Sequence, residues 1–168
     1  LFAGLFLPGG LSTDEMSSVV RSASLNLQDI TTIAIPDLPY HALQAAVLSI
    51  FGISIISVKV PSLVLALFSA VGLVLLLRRW FRPSIAVLGS LIAVSNSHFL
   101  FIAQSGTPDI MAIFWPVALL LLGTQVTRVR RFRFAWKALF SLTAALSLYT
   151  PFSIYVLVAI VLAVILHP

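Results

Sequence analysis

The chain has no cysteine and very little charge. Without cysteine there is no disulfide framework, no thiolate metal site and no cysteine nucleophile, and the redox compartment stays open. Charged residues are 9% of the 168, against 60% hydrophobic, and mean hydropathy is +1.12. That is too little polar surface to cover a water-soluble globule, so the natural solvent of this chain is a bilayer. A glycine-rich phosphate loop, a nucleophile elbow and a paired-histidine helix are also missing, which removes the usual local signatures of nucleotide, acyl-transfer and zinc-hydrolase chemistry. The three histidines and five acids make no metal signature at any local spacing; a divalent metal is possible only as an assembly of distant loops.

What charge there is falls in a pattern. The net charge of +5 invites a nucleic-acid reading, but every base except Arg21 and Lys59 lies in one of two clusters, Arg78 to Arg82 and Arg128 to Lys137. Each cluster separates long apolar runs, as cytoplasmic loops do, so the partners expected are membrane lipids and not nucleic acid. Four acids, Asp14, Glu15, Asp29 and Asp37, lie in the long polar interruption from Pro8 to Pro39. The fifth, Asp109, follows Ser105-Gly106-Thr107-Pro108.

These runs predict an all-α, polytopic helical bundle with a long extracytoplasmic first loop carrying short interfacial helices. Residues 1–7 are too short to cross ~30 Å of hydrocarbon at ~1.5 Å per residue and read as the outer end of a first span. With no initiator methionine, the chain reads as the N-terminal part of a longer transmembrane domain, inactive by itself. The loop is expected over 8–57, with membrane helices over 58–77, 84–104, 110–126, 136–148 and 152–166. Within the loop, Ser12 and Glu15 make a capping box, and Met16, Val19, Val20 and Ala23 form a narrow apolar face opposite Ser18, Arg21 and Ser22. Pro39 opens a short helix ending at Gly52, on which His41 and Gln44 share a face. Ser95, Asn96, Ser97 and His98 are expected to face the bundle interior, and a bend is expected near Pro116. Tyr149-Thr150-Pro151 breaks the last run into a hairpin, with one long kinked helix as the alternative. This topology puts all five acids on one side and most bases on the other, which orients the acidic loops extracytoplasmically. The expected location is a bacterial inner or plasma membrane, with these loops toward the periplasm or outer surface; in a eukaryote they would face the lumen.

The order of an apolar span, Asp14-Glu15 in a long outer loop, Leu38-Pro39-Tyr40 opening a short helix, Lys59-Val60-Pro61-Ser62 opening a span, Arg78-Arg79-Trp80-Phe81 closing it, and Gly106-Thr107-Pro108-Asp109 resembles the polytopic C-type glycosyltransferases. Within them it is similar to the protein mannosyltransferase and aminoarabinose transferase group. The resemblance implies transfer of a sugar from a polyprenyl-phosphate donor to an extracytoplasmic acceptor, whether protein hydroxyl, lipid or glycan. By position it makes Asp14 the principal catalytic carboxylate, Glu15 its neighbour and Asp109 a second acid, and puts Tyr40 beside the donor. The chain departs from the family at Asp37 and Gln104, where members often carry a base.

The chemistry of the residues agrees with that implication and does not depend on it. Displacing a sugar from phosphate needs a carboxylate to take or orient the acceptor proton, and cations or donors for the leaving phosphate; Arg21, Lys59 and His41 are the available ones. The same acids also suit simpler roles. Asp14 and Glu15 fit the first turn of any interfacial helix, and Asp37 can cap the helix at Pro39. A transporter using Asp14 and Asp109 for a cation or proton is the alternative class, and it calls for ionisable groups within spans.

Overall fold

A computed structural model of the chain describes residues 10–25, 35–128, 133–151, 154, 155 and 158. The expected first-span end (1–7), the polar link at 26–34, the middle of the second basic cluster and nearly all of the expected helix at 152–166 lie outside the described residues. Every regular element described is helical: α1 (Thr13–Ala23), α2 (Leu38–Phe51), α3 (Ile55–Leu77), α4 (Pro83–Val94), α5 (Ser97–Gln104), one 3-10 turn (Pro108–Ile110), α6 (Met111–Arg128) and α7 (Arg133–Ser147).

Helix α3 is the axis of the bundle. Its start is set by a cap that hydropathy alone does not reveal: Ser54 Oγ accepts the Ser57 N–H at 3.1 Å while Ser57 Oγ accepts the Ser54 N–H at 2.8 Å. The helix therefore begins at Ile55 rather than at residue 58, and Pro61 falls in its second turn rather than its first. At ~1.5 Å per residue it is long enough to cross a bilayer core of ~30 Å. Helix α6 packs along it, and Gly72 marks the closest approach, since a Cβ there would come within 2.8 Å of Val117 Cγ1. Helices α2, α4 and α5 pack around the remaining faces of α3. The core joins Tyr40 of α2, Leu65 and Ala66 of α3, Phe99 and Ile102 of α5, and Ile110, Met111 and Trp115 at the start of α6. Large apolar side chains such as Leu67, Phe68, Val71, Leu88, Ile92 and Phe101 point outward, which water would penalise and lipid does not.

Two helices, Ile55–Leu77 and Pro108–Val126, are long and apolar enough to cross a membrane, and the pair Pro83–Val94 and Ser97–Gln104 makes a third if taken as one bent span. That pair divides the return helix expected over 84–104 in two, turning by 67° at its break. Asn96 causes the break by capping α5, its side chain accepting the His98 N–H at 2.9 Å, while Ser95 Oγ donates to Leu91 O at 2.7 Å. Ser95, Asn96, Ser97 and His98 are all exposed and do not form one inward face; Asn96 and His98 line a cavity of about 370 Å³ with Ser69, Ile113 and Val117. Pro116 lies within a continuous α6 and does not end it. Helix α7 stops at Ser147, and the Thr150 N–H turns back to Ser147 O at 3.0 Å ahead of Pro151.

The two ends of the bundle differ in charge. Asp14, Glu15, Asp37 and Asp109 gather where α3 begins, and Arg78, Arg79 and Arg82 sit where it ends. At that far end Arg79 donates to Thr124 and ties α3 to α6.

Candidate functional site at the acidic end of the bundle

Helix α1 forms as its capping box dictates: Ser12 Oγ accepts the Glu15 N–H at 3.2 Å and Glu15 Oε2 accepts the Ser12 N–H at 2.9 Å. The face it presents to the bundle is not the apolar one. Glu15, Ser18, Val19 and Ser22 are buried, whereas Met16 and Val20 are 53% and 67% exposed. The serines turn inward because α2 offers them partners that lipid cannot. Ser18 Oγ and Ser22 Oγ both donate to Gln44 Oε1, at 2.9 and 2.6 Å, and Gln44 Nε2 donates to Val58 O at 3.2 Å and Gly106 O at 3.3 Å. Val19, Leu48 and Val58 form an apolar cluster beside this network, with Leu11 packed against it.

The adjacent acids Asp14 and Glu15 part company. Glu15 is 5% exposed. Besides capping Ser12, it accepts the Gly106 N–H at 2.9 Å and pairs with Lys59 at 3.5 Å. Burial pushes its carboxyl up, but the bonds from Gly106 and Ser12 and the Lys59 charge outweigh that and hold it below the usual carboxylate range. Both of its oxygens are occupied, Oε2 in capping α1 and Oε1 in clamping α1 to α3 and to the 105–110 segment. Asp14, one residue earlier, is exposed; its main-chain carbonyl accepts from Ser17 Oγ at 2.8 Å, but its carboxylate takes no hydrogen bond or ion pair from the described residues. Its carboxylate lines a small polar cavity of about 190 Å³ with Arg21, His41, Thr107 and Asp109. Asp109 is also exposed, with one oxygen accepting from Thr107 Oγ1 at 2.7 Å. The cavity is small beside ligand pockets of ~300–1,000 Å³, a size for a polar head rather than a lipid tail.

The remaining predicted site residues divide between this cavity and the core. Arg21 is exposed on its rim and His41 is buried in its wall. Lys59 does not reach it and is held on Glu15. Tyr40 is fully buried, its hydroxyl 2.8 Å from Ser62 Oγ, and burial pushes its phenol far up; it belongs to the core. Gln104, half-buried at the end of α5, does not line the cavity either.

Asp37 precedes α2 in the left-handed conformation, φ 58° and ψ 29°, and its side chain makes no cap bond. It does not cap α2 as a carboxylate because its side chain goes to Thr150, whose hydroxyl also accepts the Trp115 indole N–H at 2.9 Å. Its N–H donates to Tyr149 O at 2.9 Å, which holds the unusual backbone in place. Burial, reinforced by Asp109, pushes its carboxyl up. Among the described residues no group of three or more His, Asp or Glu could hold a metal ion.

The residues that organise the site, Gln44, Ser18, Ser22 and Gly106, were not among those predicted for it. Their one sequence signal is Gln44 on the same face as His41 in an otherwise apolar helix.

Helices long and apolar enough to cross a membrane, with a polar, carboxylate-bearing cavity at one end of the bundle, define an integral membrane protein. Residues 38–168 match the family described as dolichyl-phosphate-mannose-protein mannosyltransferase, and the chain belongs to that family of membrane glycosyltransferases. The family implies a lipid-linked sugar donor and a protein acceptor. No curated protein and no solved structure gives a match.

Proposed function

We infer that this chain carries the acidic end of the active site of a transferase that moves a hexose, mannose by its family, from a polyprenyl phosphate to an acceptor hydroxyl on the extracytoplasmic face. The observation that carries the reading is the division of labour between neighbouring acids: Glu15 is committed to anchoring, while Asp14 stands unpaired in a polar cavity with Arg21 and Asp109. A carboxylate that no protein donor occupies is free to accept the hydrogen of an incoming acceptor hydroxyl. In the reaction the acceptor oxygen bonds to the anomeric carbon as the bond from that carbon to the phosphate oxygen breaks. Asp14 takes the acceptor's proton and the lipid phosphate leaves with the bonding pair. Arg21 supplies the cation that steadies the phosphate, and Asp109 faces the positive charge that develops on the sugar. The apolar walls of the spans suit the lipid tail, and the cavity suits the head.

Asp14→Asn tests this in the purified, membrane-reconstituted protein with dolichyl-phosphate-mannose and a serine/threonine peptide. Turnover should fall by about 10²-fold or more. The unfolding temperature should hold, because Ser12 and Glu15 close the helix and Asp14 adds only its ~0.3–1 kcal/mol with the helix dipole. Thermal stabilisation by sodium or protons that depends on Asp14, with none by the polyprenyl phosphate, would replace the enzyme by a transporter.

A further inference from the structure

The orientation of Gln44 is determined from both ends of its amide. Its nitrogen faces two main-chain carbonyls, Val58 O and Gly106 O, and carbonyls only accept, so its oxygen is the atom turned to Ser18 and Ser22. An amide oxygen also only accepts. Ser22 therefore commits its single hydroxyl hydrogen to Gln44, at 2.6 Å, and offers His41 Nδ1, 2.9 Å away, nothing but lone pairs. The proton of that second bond must belong to Nδ1. A neutral imidazole has one N–H, so Nε2 is left with a bare lone pair.

That nitrogen is buried and has no hydrogen-bond partner, on a side chain 1% exposed in the wall of the cavity that holds Asp14 and Asp109. Protonating it would leave an unanswered buried N–H close to the Arg21 charge, and burial together with Arg21 keeps the ring neutral.

We propose that His41 Nε2 is the acceptor that receives a substrate hydroxyl in this cavity. The group that completes it must bring a hydrogen, which an ionised phosphate or carboxylate cannot do and a hydroxyl can. His41 thus drops out of the set of phosphate-binding cations and becomes a reader of the sugar or of the acceptor alcohol. Its aim is maintained from behind by the chain running from the Val58 and Gly106 carbonyls through Gln44 and Ser22 to Nδ1. The assignment rests on the transferase reading above and adds to it a residue that selects for a hydroxyl at one place.

Two substitutions split the ring into its halves. His41→Asn keeps an amide N–H near the Nδ1 position for Ser22 and removes the acceptor, while His41→Gln puts an amide oxygen within reach of the Nε2 position. With dolichyl-phosphate-mannose and a serine/threonine peptide, His41→Asn should lower kcat/KM by about tenfold and His41→Gln should restore most of it. A set of singly deoxygenated mannosyl donors then locates the hydroxyl. If it is the sugar's, one deoxy donor loses about tenfold with wild-type protein and loses nothing further with His41→Asn. If it is the acceptor's, no deoxy donor couples to the variant, and hydrolysis of the donor without peptide is spared while transfer falls. Nitrogen-15 NMR of the histidines gives a readout apart from activity: His41 should show a protonated Nδ1 and a bare Nε2 that shifts when donor or peptide binds.

Equal activity of wild type and both variants on all substrates, or an Nε2–H tautomer, overturns the assignment and leaves the transferase intact. Equal losses in both variants with matching falls in unfolding temperature make His41 purely structural and overturn it too. No transfer by wild-type protein overturns the enzyme and the hydroxyl reader together.

Discussion

Replacing Glu15 by glutamine separates anchoring from chemistry. In the wild-type protein its two oxygens answer three donors: the Ser12 N–H, the Gly106 N–H and the Lys59 ammonium. Glutamine retains one oxygen. Ser12 can keep it, since glutamine also serves in a capping box, and the amide NH₂ then meets Gly106 and Lys59 donor against donor. A buried donor left unanswered costs about 1–3 kcal/mol. Lys59 is 16% exposed and recovers part of its solvation, so the lost pair adds about 1 kcal/mol. The sum is about 2–4 kcal/mol, concentrated where α1 meets the 105–110 segment. Hydrogen exchange at the Gly106 amide and along α1 should accelerate, and turnover should fall because Asp14 rides on the loosened helix. The effect carries a pH signature. The folded carboxyl of Glu15 lies below its ordinary value of 4.5, so its contribution is fully present above that value and is lost as pH falls through the folded one. The stability gap between wild type and Glu15→Gln should therefore close on acidification. Collapse of turnover with wild-type exchange at Gly106 would refute the anchoring role and return Glu15 to the chemistry.

Two further predictions follow from the same end of the bundle. A Cβ at Gly106 would sit 2.6 Å from Val58 Cγ1 and 3.2 Å from Val58 O, so Gly106→Ala should lower the unfolding temperature through an overpacking cost of about 1–3 kcal/mol. Trimming the nearer atom with Val58→Ala should rescue part of that loss, and an additive double variant would show that the clash is not the cause. Because the chain has no cysteine, single cysteines at the exposed Ser24 and Ser84 report sidedness cleanly. An impermeant maleimide on sealed cells should label the first and spare the second, and the reverse would put the acids on the cytoplasmic side.

Local signals in the sequence translated well into structure and distant ones did not. Ser12 and Glu15 are three residues apart, so their capping box could be read directly. That Glu15 also reaches Gly106, 91 positions away, has no local trace. The apolar face of α1 misled because periodicity records which side chains are alike and not which find partners; two serines facing Gln44 outcompete Met16 and Val20 for the buried side. At Ser95–His98 the polar run suggests side chains facing the bundle interior of one span, whereas Asn96 uses its side chain to cap a new helix, α5. Tyr40 stands in a stretch that the family resemblance ties to the donor, but its ring is what the core beside Leu65 and Trp115 needs. The cavity itself was half legible: Asp14, Arg21, His41 and Asp109 could be nominated from charge and position, but the network that sets His41's tautomer depends on contacts among four separate segments.

That network has a consequence for how the protein is made. Gln44 bonds to α1, to the start of α3 and to Gly106, and chain order fixes when each becomes available, since synthesis delivers the N-terminal part first. When α2 and α3 are already in place, Gly106 has not yet emerged. During that interval one hydrogen of the Gln44 amide and the Glu15 oxygen that will accept the Gly106 N–H lack that partner, and interfacial water must serve in its stead. The outer seam of the nascent bundle is wet, and it dries only when α5 brings the 105–110 segment back. A copy stalled before that return carries an open polar seam where a finished copy carries a closed one, which gives the cell's surveillance of membrane proteins a physical difference to act on.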